Sequence, residues 1–332
     1  MNILIIAPSI YPVTPENRYA GIEKLCGYWA NGLHERGYQV TLAAGKGTRV
    51  SSGIEVIETP LGDFNNGEKN AYFIYRPRLR EFSAILDFSH SHIGMRENKL
   101  PAVCWIWHDP ALQRVDLPSY GVQSLSDWQK RRLQLFQGKL SSIFDCHCGP
   151  TPEVKEASDY FVFIGRPTPT KGMMQAVDIC HAGGFKCYLI GGLGVNDDVR
   201  YMETIKAKCN NGVEYLGSVS DEAKIEILGS ARALIYPISY PPHTGEAHSH
   251  KTVDACLQGV PLIAYNQGAL HEVFGSTSNG CQLVLKQDDF IKRMEGVCTG
   301  IEYRQHIQAW ASERWSIPKV MDRAKELIRQ VR

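Results

Sequence analysis

From Gly245 to Gly259 the chain reads GEAHSHKTVDACLQG, just ahead of the apolar run VPLIAY. Glu246, His248, His250, Lys251 and Asp254 all stand inside it, and seven residues separate the two acids. On a helix that interval rises at most about 12 Å, at roughly 1.5 Å per residue. That is about the length of a sugar, a diphosphate and a ribose laid end to end. A helix starting between the acids presents free backbone amides to phosphate. Glu246 at one end and Asp254 at the other could then hold hydroxyls, one set on a sugar and one on a ribose. Lys251 could add a charge and Thr252 a donor. The competing chemistry is a metal held by His248, His250 and Glu246. Histidines two apart do not share a helix face, so that site would need an extended loop; the expectation is no metal.

A second stretch, FIGRPTPTKGMMQAV, closes a strand at Arg166 and opens a helix near Lys171. An arginine fork and a lysine point charge flanking a helix N-terminus suit a diphosphate. Two exposed basic residues on a plain loop would read the same way, so the pair gains weight only beside the acid pair. The first long loop, PSIYPVTPENRYAGIEKL, ends in Gly21 where a helix begins. A glycine there lets backbone amides approach a phosphate, although a simple helix-entry glycine fits as well. The dinucleotide fingerprint is not met. GGLGVND supplies Gly192 and Gly194 but has Asp197 where a glycine or alanine belongs, and it lies outside a first βα turn.

The elements that must hold these residues alternate between strand and helix. NILII, YQVTLAA, GIEVIETP, AILDFSHSH and PAVCWIWHDP read as strands, and AGIEKLCGYWANGLHERG reads as a helix with Leu25, Trp29 and Leu33 on one face. A second cycle begins at DYFVFIGR and runs through four helix–strand units to VPLIAYN. Such alternation implies parallel crossovers and open α/β sheets. The Pro-containing segment CGPTPEVKEAS is the natural hinge. Residues 1–152 form one expected domain and 153–316 the other, with a terminal helix over about 317–332 expected to return to the first. Ligands of open α/β sheets bind outside the carboxyl ends of the strands.

Bulk composition excludes more than it proposes. The 332 residues are 43% hydrophobic and 21% charged, with a formal net charge of +1. No basic excess advertises a nucleic-acid surface. The apolar run after Met1 is too short for a signal peptide or membrane span, and no other segment approaches about 18 apolar residues. The ten cysteines lack zinc-knuckle spacing. The expectation is a cytoplasmic protein with reduced thiols.

Four stretches in this order resemble the retaining nucleotide-sugar glycosyltransferases of the GT-B fold, specifically the large family four: APSIYPVTPENRYAGIEKL, FVFIGRPTPTKG, VEYLGSVSDEAKIEILGSARALIYP and GEAHSHKTVDACLQGVPLIAYNQGALHEVF. The resemblance implies an α/β fold with two Rossmann-like parallel-sheet domains facing across a cleft, acceptor on the first and donor on the second. It implies that Glu246 lies beside the donor sugar and Asp254 holds the ribose. It places Arg166, Lys171 and Gly21 at the diphosphate and His108, in WIWHDP, near the transferred sugar. Glu246, His108, Arg166 and Lys171 are the implied catalytic set. Gly21, Ala247, His248, Ser249, His250, Lys251 and Asp254 complete the implied donor contacts. Glu272 fits the pattern in a structural capacity.

Two departures matter. The second acid is shortened to Asp254. The usual Pro-Phe-Gly is replaced by Ala247, His248 and Ser249, which opens the question of which sugar is bound. The implied activity is metal-independent, cofactor-free transfer with retention from a nucleoside-diphosphate sugar, a UDP-sugar above others, to an acceptor hydroxyl. A glycan, lipid or small-molecule acceptor is favoured. A non-catalytic nucleotide-sugar binder stays open, as does transfer to a hydroxylated nucleic-acid base, although the neutral charge balance weighs against the latter. Trp105, Trp107 and Tyr120 could stack on a sugar or simply pack in the core.

Overall fold

The computed structural model describes residues 1–14, 21–63, 66–98, 102–107, 109–111, 116–118, 120–194, 197–238, 245, 248–275 and 279–330. The chain divides into two compact units, Met1–Gly149 with Ile317–Arg332, and Pro150–Ser316.

The first unit is built on β1 (Asn2–Ile6), β2 (Gln39–Gly45), β3 (Glu55–Thr59), β4 (Ala84–Asp87), β5 (Ala102–Trp105), β6 (Val122–Ser124) and β7 (Ser142–Ile143). They form one sheet in the order β3-β2-β1-β4-β5-β6-β7, and every pairing is parallel. Strands β1, β4 and β5 are almost wholly buried, as expected where helices cover both faces of a parallel sheet. The covering helices include α1 (Gly21–His34), α2 (Asn66–Tyr75), α3 (Ile93–Glu97) and α4 (Asp127–Gln137).

Leu25, Trp29 and Leu33 recur every fourth residue on α1, and all three are buried. Gly37, at φ 82°, turns the chain out of the helix. Asn66–Tyr75 form α2, and a 3-10 turn follows over Arg76–Glu81. Ala71, Tyr72 and Tyr75 bury its inner face. The aromatic residues considered for sugar stacking are engaged within the unit. Trp105 is fully buried and donates its indole N–H to the Phe144 carbonyl. Trp107 donates to Phe88 O, and the Tyr120 hydroxyl donates to Asn98 O.

The second unit carries β8 (Tyr160–Ile164), β9 (Lys186–Ile190), β10 (Val213–Gly217), β11 (Leu234–Tyr236), β12 (Leu262–Tyr265) and β13 (Cys281–Val284). Their order is β10-β9-β8-β11-β12-β13, again parallel throughout. Helices α5 (Met173–Gly183), α6 (Val199–Lys208), α7 (Asp221–Gly229), α8 (His250–Leu257), α9 (Leu270–Phe274), α10 (Gln287–Glu295) and α11 (Ile301–Trp315) belong to it. Arg304 of α11 is fully buried, with its guanidinium donating to the carbonyls of Ala231 and Gly229. Burial draws its pKa below the usual arginine range. Those two hydrogen bonds are what make a buried arginine tolerable here.

The last helix, α12 (Ile317–Gln330), leaves the second unit and joins the first. Val320, Met321, Ala324, Leu327 and Ile328 bury one face of it. A methyl group on Gly32 of α1 would come within 2.8 Å of the Met321 side chain, so glycine permits the close approach of the two helices. Arg36 fastens the same junction, donating to Pro318 O at 2.8 Å and pairing with Asp322. Among the described residues, no helix is long and apolar enough to cross a membrane.

Candidate functional site

In the second sheet β8 and β11 are neighbours, and the chain leaves them toward opposite edges. That is the topological switch point where open α/β sheets bind ligands. The loops leaving these two strands are the ones that carry the basic pair and the acid-rich stretch.

Arg166 follows β8 after Gly165. Its Nη1 donates to Asp197 Oδ1 at 2.9 Å, and Asp197 Oδ2 accepts from the Gly194 amide at 2.7 Å. The Asp197 side chain is 7% exposed against 39% for Arg166, so the acid is the fixed partner and the guanidinium the outward one. The residue that breaks the dinucleotide pattern is therefore the one that holds the arginine.

Lys171 ends a 3-10 turn, Pro169–Lys171, and Gly172 then adopts φ 81° before α5 starts. A Cβ on Gly172 would lie 2.0 Å from Pro237 O, which follows β11. Only glycine allows both the left-handed turn and this contact. The contact is what brings the lysine turn to the end of β11, and no spacing in the sequence announces it. Among the described residues no side chain caps α5 or α8, as suits helix N-termini that present amides to an anion.

Two further glycines tighten the same corner. A Cβ on Gly191 would sit 1.8 Å from Gly165 O, and one on Gly165 would meet Lys251 Nζ at 3.3 Å. Lys251 thus lies beside the end of β8, with its ammonium 5.1 Å from the centroid of the Tyr236 ring on β11. A ring face attracts a cation through its quadrupole.

The acid-rich stretch divides at the start of α8. Glu246 and Ala247, like His108 in the first unit, lie outside the described residues. His248 is buried, with its ring centroid 6.0 Å from that of Phe274 and 5.7 Å from that of Trp315. It packs as an aromatic residue would, which explains how it stands in place of a phenylalanine-containing turn. Ser249 is also buried, and its carbonyl accepts from the Thr252 hydroxyl at 2.6 Å. Thr252, fully buried, is therefore not the ligand donor expected of it. A threonine in a first helical turn reaches back to the nearest free carbonyl more readily than outward.

Asp254 is held on both sides. His250 Nε2 lies 3.4 Å from its Oδ1, one helical turn back, and Lys224 Nζ of α7 lies 3.3 Å from its Oδ2. Lys224 also lies 3.4 Å from Asp221. Burial alone would pull the Lys224 ammonium down, but Asp254 and Asp221 together hold it above the usual lysine value. Neither Lys224 nor Asp221 was legible as a site residue. Glu272 is exposed on the first turn of α9.

The first unit has its own switch point, between β1 and β4, and it gathers carboxylates instead. Asp87 ends β4, fully buried, and its Oδ1 accepts from the Ser89 amide at 2.9 Å and hydroxyl at 2.6 Å. His92 Nδ1 lies 3.5 Å from its Oδ2, on a backbone at φ 48°. Glu68 of α2 accepts from the amides of His90 and Ser91 at 2.8 and 2.6 Å, and burial raises its pKa against those bonds. Glu23, on the first turn of α1, is 5% exposed. Burial pushes its carboxyl up to about 7, against the lowering by its own and the Tyr11 amides, and Glu68 adds to the rise. Only the run of Asp, Ser and His at a strand end hinted at this cluster. Gly21 opens α1, and a Cβ there would meet nothing within 4 Å among the described residues. The fold does not itself require glycine at that position.

Residues 151–314, nearly all of the second unit, match the family model described as glycosyl transferases group 1. No curated protein matches the chain. Among solved structures it is similar to AviGT4, a glycosyltransferase involved in avilamycin A biosynthesis, with 19% identity and a TM-score of 0.77 over 99% of this chain and 97% of that one. It is similar to the sucrose-phosphate synthase of Thermosynechococcus elongatus, with 13% identity and a TM-score of 0.81 over 99% and 98% of the two chains. Anabaena HepE in complex with UDP-glucose gives 16% identity and a TM-score of 0.72 over 99% and 100%. The switch-point residues thus sit within a glycosyl transferases group 1 domain, and the chain, with its two parallel α/β units, has the GT-B fold of these glycosyltransferases.

Proposed function

We propose that the protein is a retaining glycosyltransferase that moves a sugar from a nucleoside-diphosphate sugar, a UDP-sugar above others, to an acceptor hydroxyl. The observation that carries this is the convergence of Arg166, the Lys171 turn, Lys251 and α8 at one switch point of the family-matched unit. HepE, with its bound UDP-glucose, supports the choice of nucleotide.

In this reading Arg166, Lys171 and the amides of α5 and α8 receive the diphosphate, and Asp254 receives the ribose. Glu246 and His108 are proposed to act at the donor sugar. Gly21 leaves room for a phosphate to approach the N-terminus of α1. Catalysis is positioning plus stabilisation of the departing diphosphate by fixed positive groups. The acceptor hydroxyl approaches the face from which the diphosphate leaves; its oxygen bonds to the anomeric carbon as the bond from that carbon to the diphosphate breaks, and its proton passes to the departing phosphate oxygen, so configuration is retained. Arg166, Lys171 and Lys251 supply the charge the leaving group needs, and the proposed reaction runs without a resident metal or cofactor. A cytoplasmic location and a glycan, lipid or small-molecule acceptor belong to the same proposal.

The test is a panel of nucleoside-diphosphate sugars, reading release of nucleoside diphosphate and then the anomeric configuration of the product by NMR. The expected result is turnover with retention, fastest with a UDP-sugar and insensitive to chelator. A donor that binds and is never turned over would make the protein a non-catalytic binder. An inverted product would overturn the mechanism.

A further inference from the structure

Asp254 is one methylene shorter than the glutamate its place in the pattern calls for, yet its carboxylate is not left to find its own rotamer. Lys224 Nζ stands 3.3 Å from Oδ2 and His250 Nε2 3.4 Å from Oδ1. Lys224 is in turn backed by Asp221 at 3.4 Å, one turn earlier on α7. The side chains of Lys224, Asp221 and Asp254 are 21%, 20% and 13% exposed, so water screens the group only partly. An ammonium beside one oxygen and an imidazole nitrogen beside the other set the plane and the position of a carboxylate that a longer side chain would otherwise have to reach for.

We propose that Lys224 is a positioning residue of the nucleoside seat, fixing the shortened Asp254 where the cis-diol of a ribose is read. The inference rests on the reading of the second unit as the donor domain. A carboxylate accepts several hydrogen bonds at once, so the ion pair and a ribose hydroxyl do not compete for a single lone pair. A hydroxyl bonded to Oδ2 also comes within reach of the Lys224 ammonium, which donates to its oxygen. The pair reads a hydroxyl as acceptor and donor together, and a 2′-deoxyribose lacks one of the two hydroxyls of the diol. Lys224 also offsets the negative charge of Asp254, which would otherwise repel the diphosphate one helical turn away. A lysine that merely tied α7 to α8 would affect stability, and it would not affect the choice between ribose and deoxyribose.

The experiment is isothermal titration of the intact chain with UDP and with 2′-deoxy-UDP, for the wild type, Lys224→Met and Asp221→Asn, with circular dichroism as the check on folding. The wild type is expected to prefer UDP at least tenfold. Lys224→Met should lose about tenfold in UDP affinity and less than threefold in 2′-deoxy-UDP affinity, closing most of the gap. Asp221→Asn, which leaves the lysine in place without its second carboxylate, should narrow the gap about threefold. A folded Lys224→Met with the wild-type gap overturns the proposal. Should that variant not fold, an unchanged gap in Asp221→Asn overturns it equally. A wild type that binds both ligands alike overturns it as well. A wild type that binds no nucleoside diphosphate at all overturns the donor reading and this inference together.

Discussion

The two units have the same strand order around their switch points, β3-β2-β1-β4-β5-β6 in one and β10-β9-β8-β11-β12-β13 in the other. What stands at the strand ends is of opposite sign. In the first unit buried Glu23, Glu68 and Asp87 lie close enough to raise one another's pKa values or those of their neighbours. In the second, Arg166 and Lys224 are held by acids, Lys251 lies over the Tyr236 ring, and the Lys171 turn meets the end of β11. The backbone topology therefore decides where a ligand goes and leaves its charge open. A cationic switch point suits a diphosphate, while a crowded carboxylate cluster suits a neutral, hydroxyl-rich molecule.

The strongest way to break this contrast is to remove a cation. Lys171→Ala should lower kcat/KM for the donor about 10³-fold, roughly 4 kcal/mol of transition-state stabilisation. It should also weaken UDP binding while leaving the circular dichroism spectrum unchanged, because Lys171 lies on a short surface turn and not in the core. Wild-type turnover by this variant would remove the lysine turn from the site.

A smaller effect is expected from neutralising the acidic cluster. The Glu23 carboxyl is raised from its ordinary value near 4.5 to about 7, chiefly by burial. The folded protein therefore holds this proton more tightly than the unfolded chain does. The associated stability is complete below about pH 4.5 and is lost as pH rises through about 7. A shift of that size corresponds to at most about 3–4 kcal/mol. Glu68, raised in the same direction, adds to the same slope. Glu23→Gln should flatten the loss of thermal stability between pH 5 and pH 8, and chemical denaturation across that range checks it. A slope equal to the wild type would mean that water reaches the carboxylate.

The contrast was only half legible in the sequence. Arg166 and Lys171 stand close together before a helix, and a local pattern of that kind can be read directly. Glu23, Glu68 and Asp87 come from three separate elements, and only the folded sheet brings them to one edge. Lys224 is 30 residues from Asp254 and on another helix, so no spacing rule links them. Gly172 looks like an ordinary helix-entry glycine until the Pro237 carbonyl is seen 2.0 Å from where its Cβ would be. Thr252 was misread because a hydroxyl at a helix start has two outlets, and the Ser249 carbonyl was the nearer.

The smallest predicted effect sharpens the cationic side. Asp197 was set aside as a mismatch to a glycine pattern, yet it orients Arg166 through one oxygen and the Gly194 turn through the other. Its two effects on a bound diphosphate oppose each other. It fixes the guanidinium, which favours the transition state by sparing reorganisation. It also places a negative charge beside the cation, which weakens attraction for an anion in the ground state. Asp197→Ala removes both at once. UDP affinity should then hold or rise by up to about threefold, while kcat falls about tenfold, equivalent to ~1.4 kcal/mol. A parallel loss of UDP affinity and kcat would show instead that Asp197 does no more than hold its loop together. An unchanged kcat would mean that Arg166 takes its working orientation from the diphosphate alone.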